Sequence, residues 1–202
     1  MSKHMSKQVE FYFDFGSTAS YLAWTRIAKV AAAAGATVVW RPMLLGGVFK
    51  ATGNVSPVSV PAKGRWMMAD LARCAAKFGV PFRMPPTFPV NTLALMRGAV
   101  GIQLQRPADL ERYMTAIFEG MFAHGLDMAD PAVVARVLTD AGFDPAAFEA
   151  LVGDPAVKQA LIAATDAAVK RGVFGGPTMF VGDEMHFGQD RLDFVADALR
   201  RN

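Results

Sequence analysis

Cysteine is almost absent from this chain. Cys74 is the only thiol in 202 residues. No intramolecular disulfide and no Cys-x-x-Cys pair can therefore exist, which excludes a disulfide-stapled secreted scaffold and dithiol redox chemistry. Histidine is scarce: His4, His124 and His186 lack metal-ligand spacing, so no metal is expected. There is no G-x-S-x-G elbow, and neither His124 nor His186 stands in a triad-like setting, which argues against a serine hydrolase. Lys and Arg never form a block. The 21 basic and 18 acidic residues are scattered and leave a formal charge of +3, which disfavours a nucleic-acid partner and suits the gathering of small anions. No apolar run reaches the ~18 residues of a membrane span. The polar start, residues 1–7, lacks the apolar core of a signal peptide, and a cytoplasmic location is expected.

What is present is a chain 52% hydrophobic, enough for one domain or one domain with a large insertion. Residues 9–15 form an aromatic strand candidate that stops at Gly16. Ser17 follows, and the spacing of Tyr21, Leu22, Trp24, Ile27 and Ala31 predicts a helix over 18–34 closed by Gly35. Residues 37–41 give a second strand ended by Pro42. This is a βαβ unit, whose right-handed crossover makes the strands parallel. Residues 43–62 are expected to be irregular, with a short helical turn about 44–49. A stretch of that kind is usually functional or mobile. A helix follows over 63–78, then a rigid proline-rich loop over 80–91 leading to a helix capped by Asn91 or Thr92.

Helices are predicted over 92–102, 108–123, 130–140, 145–151 and 154–171. Asp130-Pro131, Asp144-Pro145 and Asp154-Pro155 repeat one device, an Asp N-cap before Pro at the first helical position. Strands 178–181 and 184–187 are joined by the hairpin signal Gly182-Asp183, and a last helix spans 190–201. The order is β-α-β, a long helical insert, then β-β-α. It predicts an α/β thioredoxin fold: a mixed four-stranded sheet with a large all-helical insertion. The expected division is 8–45 and 166–202 for the two halves of the thioredoxin-like domain, and 46–165 for the loop and helical insertion.

In that fold the crevice lies where the first strand meets the first helix. Redox members carry Cys-x-x-Cys there, and this chain has Ser17-x-x-Ser20. A serine hydroxyl cannot cycle between oxidation states. Ser17 is either a plain N-cap or a donor that holds an external thiolate, with the helix dipole acting in the same sense. Cys74 reads as a core cysteine. Gly176-Pro177, just before a strand, is expected to be cis, with Gly176 offering its backbone to a peptide-like ligand. Asp190 is either the N-cap of the last helix or a carboxylate for the amino end of such a ligand. Arg191 is a partner for a carboxylate or a solvated charge. Lys63 opens a helix, where the dipole disfavours a cation, which hints at an anion in front of it. Trp66 either lines a pocket or fills the core between insert and sheet.

Several stretches together resemble the 2-hydroxychromene-2-carboxylate isomerase family, grouped with kappa-class glutathione transferases and the DsbA branch of the thioredoxin superfamily. They are Phe13-Asp14-Phe15-Gly16-Ser17, Arg41-Pro42, Thr52-Gly53-Asn54, Pro61-Ala62-Lys63, Asp70-Leu71-x-Arg73, Phe88-Pro89-x-Asn91-Thr92, Gly172-Val173-Phe174-Gly175-x-Pro177-Thr178 and Phe187-Gly188-Gln189-Asp190-Arg191, and they cover residues 9–200. The resemblance implies a glutathione-dependent isomerase interconverting 2-hydroxychromene-2-carboxylate and trans-o-hydroxybenzylidenepyruvate, or a related intermediate of aromatic catabolism. A kappa-like transferase conjugating electrophiles is the alternative, and a non-catalytic peptide-binding module the rival of another class. It also implies a homodimer. It places Ser17 against the sulfur of glutathione, with Asn54, Lys63, Gly176, Pro177, Gln189, Asp190 and Arg191 holding the rest. Lys63, Trp66 and Asn91 fall on the substrate side. The chain departs from the family's usual Ser-Pro with Ser17-Thr18, from a bulkier residue at Gly176, and from a tryptophan at Phe187.

Overall fold

The structure is a computed structural model that describes residues 7–201. Of the polar start read over residues 1–7, residues 1–6 lie outside the described residues, and the Lys7 ammonium donates to the Leu199 carbonyl at 3.1 Å. The first half comprises strand β1 (Gln8–Phe13), helix α1 (Thr18–Ala33) and strand β2 (Thr37–Pro42). The middle is helical: α2 (Leu45–Thr52), α3 (Pro61–Phe78), α4 (Leu93–Gln105), α5 (Leu110–Phe118), α6 (Pro131–Asp140), α7 (Pro145–Gly153) and α8 (Pro155–Lys170). Strands β3 (Thr178–Val181) and β4 (Glu184–Phe187) and helix α9 (Leu192–Arg201) close the chain. The sheet order is β2-β1-β3-β4. β1 runs parallel to β2 and antiparallel to β3, and β3 pairs antiparallel with β4. This is the thioredoxin fold that the element order predicts.

β1 lies inside the sheet, between β2 and β3, with one face wholly apolar. Val9, Phe11 and Phe13 are fully buried, and their face builds an aromatic slab. Phe13 meets Phe15 edge-on at 5.4 Å between centroids, and Phe15 meets Phe118 of α5 at 4.8 Å. Phe118 stacks on Trp24 of α1 at 5.2 Å, and Trp40 of β2 stands edge-on to Phe11 at 5.6 Å. Edge and offset contacts of this kind are favourable beyond the area they bury. The slab joins sheet, α1 and the helical middle in one core.

On the other side of the sheet Arg171, just after α8, donates to Glu10, to the Tyr12 hydroxyl at 3.1 Å and to the Gly182 carbonyl at 3.0 Å. Its guanidinium lies 3.9 Å above the Phe180 ring. Burial pushes the Glu10 carboxyl upward, but the bonds from Arg171 and Arg41 outweigh it and hold that carboxyl below its ordinary value.

Local signals decide most helix ends. Asp130, Asp144 and Asp154 each accept the N–H two residues on, at 2.8, 3.0 and 2.8 Å, and a proline follows each as predicted. Several element ends differ from the sequence reading, among them that of α4, which runs to Gln105 where 102 is expected. Residues 45–52 form a full helix, longer than the short helical turn expected about 44–49. Gly47, which looks like a breaker, is there because an added Cβ would lie 3.0 Å from the Thr165 methyl. The helix expected over 108–123 is α5 framed by a 3-10 turn at Pro107–Asp109 and a π-helical turn at Glu119–Ala123. β1 stops at Phe13, because Asp14 begins the turn that delivers Ser17. Asp190 does not cap the last helix: Gln189–Arg191 is a 3-10 turn without a side-chain cap, and the Asp190 carboxylate takes Arg191 at 2.6 Å.

Candidate active site

The turn between β1 and α1 is held from beneath by Asp14, a carboxylate only 1% exposed. It accepts from the Gly16 N–H at 2.8 Å, the Leu45 N–H at 2.7 Å and the Thr92 hydroxyl at 2.6 Å. Burial raises its carboxyl above the ordinary range, and the three donors oppose that rise. One side chain thus ties together the Ser17 turn, the start of α2 and the start of α4. The sequence assigns no role to Asp14 and leaves the cap of α4 to Asn91 or Thr92. The Thr92 hydroxyl is spent on Asp14, and it is Asn91 Oδ1 that accepts from the Leu93 N–H, at 3.1 Å. The one available signal was a lone acid inside an aromatic run.

Ser17 is buried at the head of α1. Its oxygen accepts the Ser20 N–H at 3.0 Å, and its hydroxyl donates to the Gly176 carbonyl at 3.0 Å. It is therefore a cap and also a bridge to the other half of the chain. The N–H groups of Thr18 and Ala19 have no hydrogen-bond acceptor among the described residues, as first-turn donors of a helix do not unless a ligand or solvent takes them.

Gly176-Pro177 is cis, as expected, and so is Phe88-Pro89, which the sequence reading did not single out. The expectation that Gly176 would turn both backbone groups outward is half corrected. Its carbonyl is engaged by Ser17, while its N–H makes no bond among the described residues. A Cβ at Gly176 would stand 3.2 Å from the Ser20 hydroxyl oxygen, 3.5 Å from the end of Met43 and 3.9 Å from the Ser17 oxygen.

Asn54 reaches this neighbourhood from α2. Gly53 at φ 72° ends that helix, and the Asn54 amide donates to the Phe174 carbonyl at 2.8 Å. Phe174 packs on Phe187 at 4.6 Å, forming an aromatic wall beside Gly175. The Gly188 N–H donates to the Pro177 carbonyl at 3.0 Å, which brings residues 188–191 alongside. Gln189 is buried, and its amide donates to the Cys74 sulfur at 3.3 Å. Cys74 is half-buried, so it is a packing residue at the core's edge more than a core cysteine. Asp190 and Arg191 are exposed and paired with each other.

Lys63 and Trp66 are exposed on the first turns of α3. Trp66 is 62% exposed, which removes its reading as filler between insert and sheet. Lys63 has no ion-pair partner among the described residues. Asn91 is exposed and borders a cleft of about 860 Å³ between α4, α6 and α7. Hydrogen bonds thus join Ser17 to Gly176, Asn54 to Phe174, and Pro177 to Gly188 next to Gln189, and among the described residues none joins Lys63, Trp66 or Asn91 to them. No cluster of His, Cys, Asp and Glu suited to a metal occurs among the described residues.

A four-stranded sheet in this order, a helix N-terminus facing a cis-proline loop, and a helical middle define a thioredoxin-like protein. The chain belongs to the DsbA-like thioredoxin family, and within it to the 2-hydroxychromene-2-carboxylate isomerase family. The DSBA-like thioredoxin domain matches residues 8–200. The chain is 34% identical to the 2-hydroxychromene-2-carboxylate isomerase of Sphingobium xenophagum, over 96% of this chain and 99% of that one. It is 31% identical to glutathione S-transferase kappa 2 of Caenorhabditis elegans, over 96% and 92%. A solved 2-hydroxychromene-2-carboxylate isomerase superposes with a TM-score of 0.86 at 33% identity, over 96% of this chain and 95% of that one. These relatives are enzymes by name, isomerases and transferases.

Proposed function

We propose that this chain is a glutathione-dependent isomerase that interconverts 2-hydroxychromene-2-carboxylate and trans-o-hydroxybenzylidenepyruvate, or a closely related aromatic-catabolism intermediate. The observation that carries this reading is the buried Ser17 hydroxyl at the N-terminus of α1, beside the Gly176-Pro177 loop. The residues present suit a peptide thiol. Among the described residues the Thr18, Ala19 and Gly176 N–H groups are without acceptors, and Asn54 stands against the Phe174–Gly175 segment that leads to Gly176. When bound, glutathione would supply the thiolate whose reversible addition to the conjugated alkene permits rotation.

The chain's own contribution is electrostatic. Ser17 swings its proton from the Gly176 carbonyl to the sulfur, and the first turn of α1 adds its dipole and free N–H groups. Gln189, Asp190 and Arg191 are assigned to the γ-glutamyl end, with Arg191 neutralising Asp190 until a ligand ammonium takes its place. Lys63 on α3 is assigned to a carboxylate of substrate or cofactor, with Trp66 and Asn91 on the substrate side. The protein acts on small molecules in this reading, as a homodimer in the cytoplasm.

Replacing Ser17 with Ala is expected to raise the pKa of bound glutathione by about one to two units, the equivalent of one lost charge-assisted hydrogen bond. Ultraviolet titration of the bound thiolate measures it, and an unchanged value removes Ser17 from this role. Turnover of the chromene with and without glutathione tests the isomerase itself. A second reading, a kappa-like transferase, is favoured by the 31% identity to a kappa enzyme over nearly its full length. It shares the glutathione contacts, and it predicts a released conjugate in place of a regenerated cofactor.

A further inference from the structure

A second concavity, of about 490 Å³, lies between α2, the start of α4 and α8. None of Ser17, Asn54, Lys63, Gly176 or Asp190 lines it. Its walls are apolar, built by Leu44, Leu93 and Leu161, and Ile162 leaves uncovered hydrocarbon at its lip, 45% exposed. Three cations surround these walls, Lys50, Arg97 and Lys158, against the single carboxylate of Asp166. None of the three has an ion-pair partner among the described residues.

Arg97 is the informative member. Its Nε is buried and has no hydrogen-bond acceptor, and its remaining bond is a long one, 3.5 Å from Nη1 to the Val152 carbonyl. Val152 lines the larger cleft near Asn91, so Arg97 stands on the wall between the two, and a guanidinium so weakly held suits a carboxylate, which its fork can meet through two parallel bonds. The volume falls within the ~300–1,000 Å³ usual for small-ligand sites, and apolar walls with a few convergent polar groups are their usual make-up. Arg97 also borders the larger cleft near Asn91, but that cleft carries Glu149 and no further cation. The positive excess belongs to the smaller one.

We infer that this cleft is a second ligand site, for a small organic acid with a hydrophobic body. Its carboxylate is held by Arg97, with Lys158 and Lys50 neutralising it, and its hydrocarbon lies on Leu44, Leu93 and Leu161. The site needs no thiol and stands independently of the glutathione reading. It meets the Ser17 crevice at the segment that leads into α2 and at the start of α4, where Leu93 lines this cleft and Thr92 bonds Asp14 at 2.6 Å. The Leu44 N–H bonds Thr165 at 3.0 Å at this cleft, and the next N–H, of Leu45, bonds Asp14 under the Ser17 turn at 2.7 Å.

Calorimetric titration of the full chain with 3-phenylpropionate, in low salt and without glutathione, tests the inference. The neutral 3-phenylpropanol is the control. Saturable one-to-one binding of the acid is expected, with the alcohol at least tenfold weaker. Arg97→Gln should weaken the acid about tenfold or more, the loss of one charge-assisted bond pair. Lys158→Ala, at an exposed position on α8 that leaves the fold intact, should weaken it about threefold. Lys63→Ala should leave it unchanged. The inference is overturned by no saturable binding, by equal affinity for the alcohol, or by Lys158→Ala binding as well as the parent chain. Loss with Lys63→Ala while Lys158→Ala binds normally also overturns it, and places the acid in the proposed substrate site.

Discussion

Asp14 sits where a carboxylate is least comfortable, among aromatic rings, and it is kept there by three donors from three separate segments. Removing it leaves those donors unanswered in a dry environment. Asp14→Ala is expected to cost about 2–4 kcal/mol in urea unfolding and to speed amide exchange at Gly16 and Leu45. Asp14→Asn should cost less, since its carbonyl oxygen can still accept while its amide nitrogen faces a donor. Its role was invisible in the sequence because Thr92 lies 78 positions away. The Ser17 cap was legible because its partner is three residues on. His186 offers a pH handle. Burial and the nearby Arg201 hold its imidazole below its ordinary value, and Glu184 opposes them. A group whose folded pKa is lowered binds fewer protons when folded, so its stability contribution is complete above the unfolded value near 6.5 and is lost as pH falls through and below it. The urea midpoint should therefore fall between pH 7.5 and pH 5.5, and His186→Gln should flatten that fall.

Among the elements, α4 shows how small residues set a fold. A Cβ on Gly98 would lie 2.4 Å from both the Phe148 ring and the Tyr113 hydroxyl oxygen, and one on Gly101 2.7 Å from Leu151. These two glycines let α4 press against α5 and α7. Gly98→Ala should therefore destabilise the protein by about 1–3 kcal/mol despite alanine's better helix propensity, because two ring systems must move. A thermal melt settles it, and an unchanged or higher midpoint would refute the close packing. The same physics explains why α2 is longer than the short turn expected from the sequence. Gly46-Gly47 looks like a loop signal until Thr165, far along the chain, is placed against Gly47. The Asp-Pro helix starts were legible because cap and helix are adjacent. Asp190 failed as a cap because Arg191, its immediate neighbour, competes for the carboxylate.

At the scale of the whole molecule, the thioredoxin fold with its mixed four-stranded sheet was readable from element order, while the union of sheet and helical middle was not. It depends on Phe118 meeting Phe15 and Trp24, contacts that no local pattern announces. Because this aromatic slab belongs to both parts, they should unfold together. Far-ultraviolet dichroism and calorimetry are expected to give one coincident transition. A chain with residues 46–165 replaced by a short linker should fail to fold, since Phe13 and Phe15 would lose their cover. A second, separate transition would mean that the helical middle is independent.

The slab also has an optical consequence. Trp24 and Trp40 are embedded in it or at its edge, whereas Trp66 stands in solvent on α3. Two of the three indoles are thus fixed in asymmetric aromatic surroundings, and the third is free to answer to its medium. The near-ultraviolet dichroism of this protein should come from the seam between sheet and helices. The part of its emission that water-borne quenchers reach should come from Trp66, beside Lys63. One spectrum can then be read twice, for the integrity of the seam and for any molecule that settles on the start of α3.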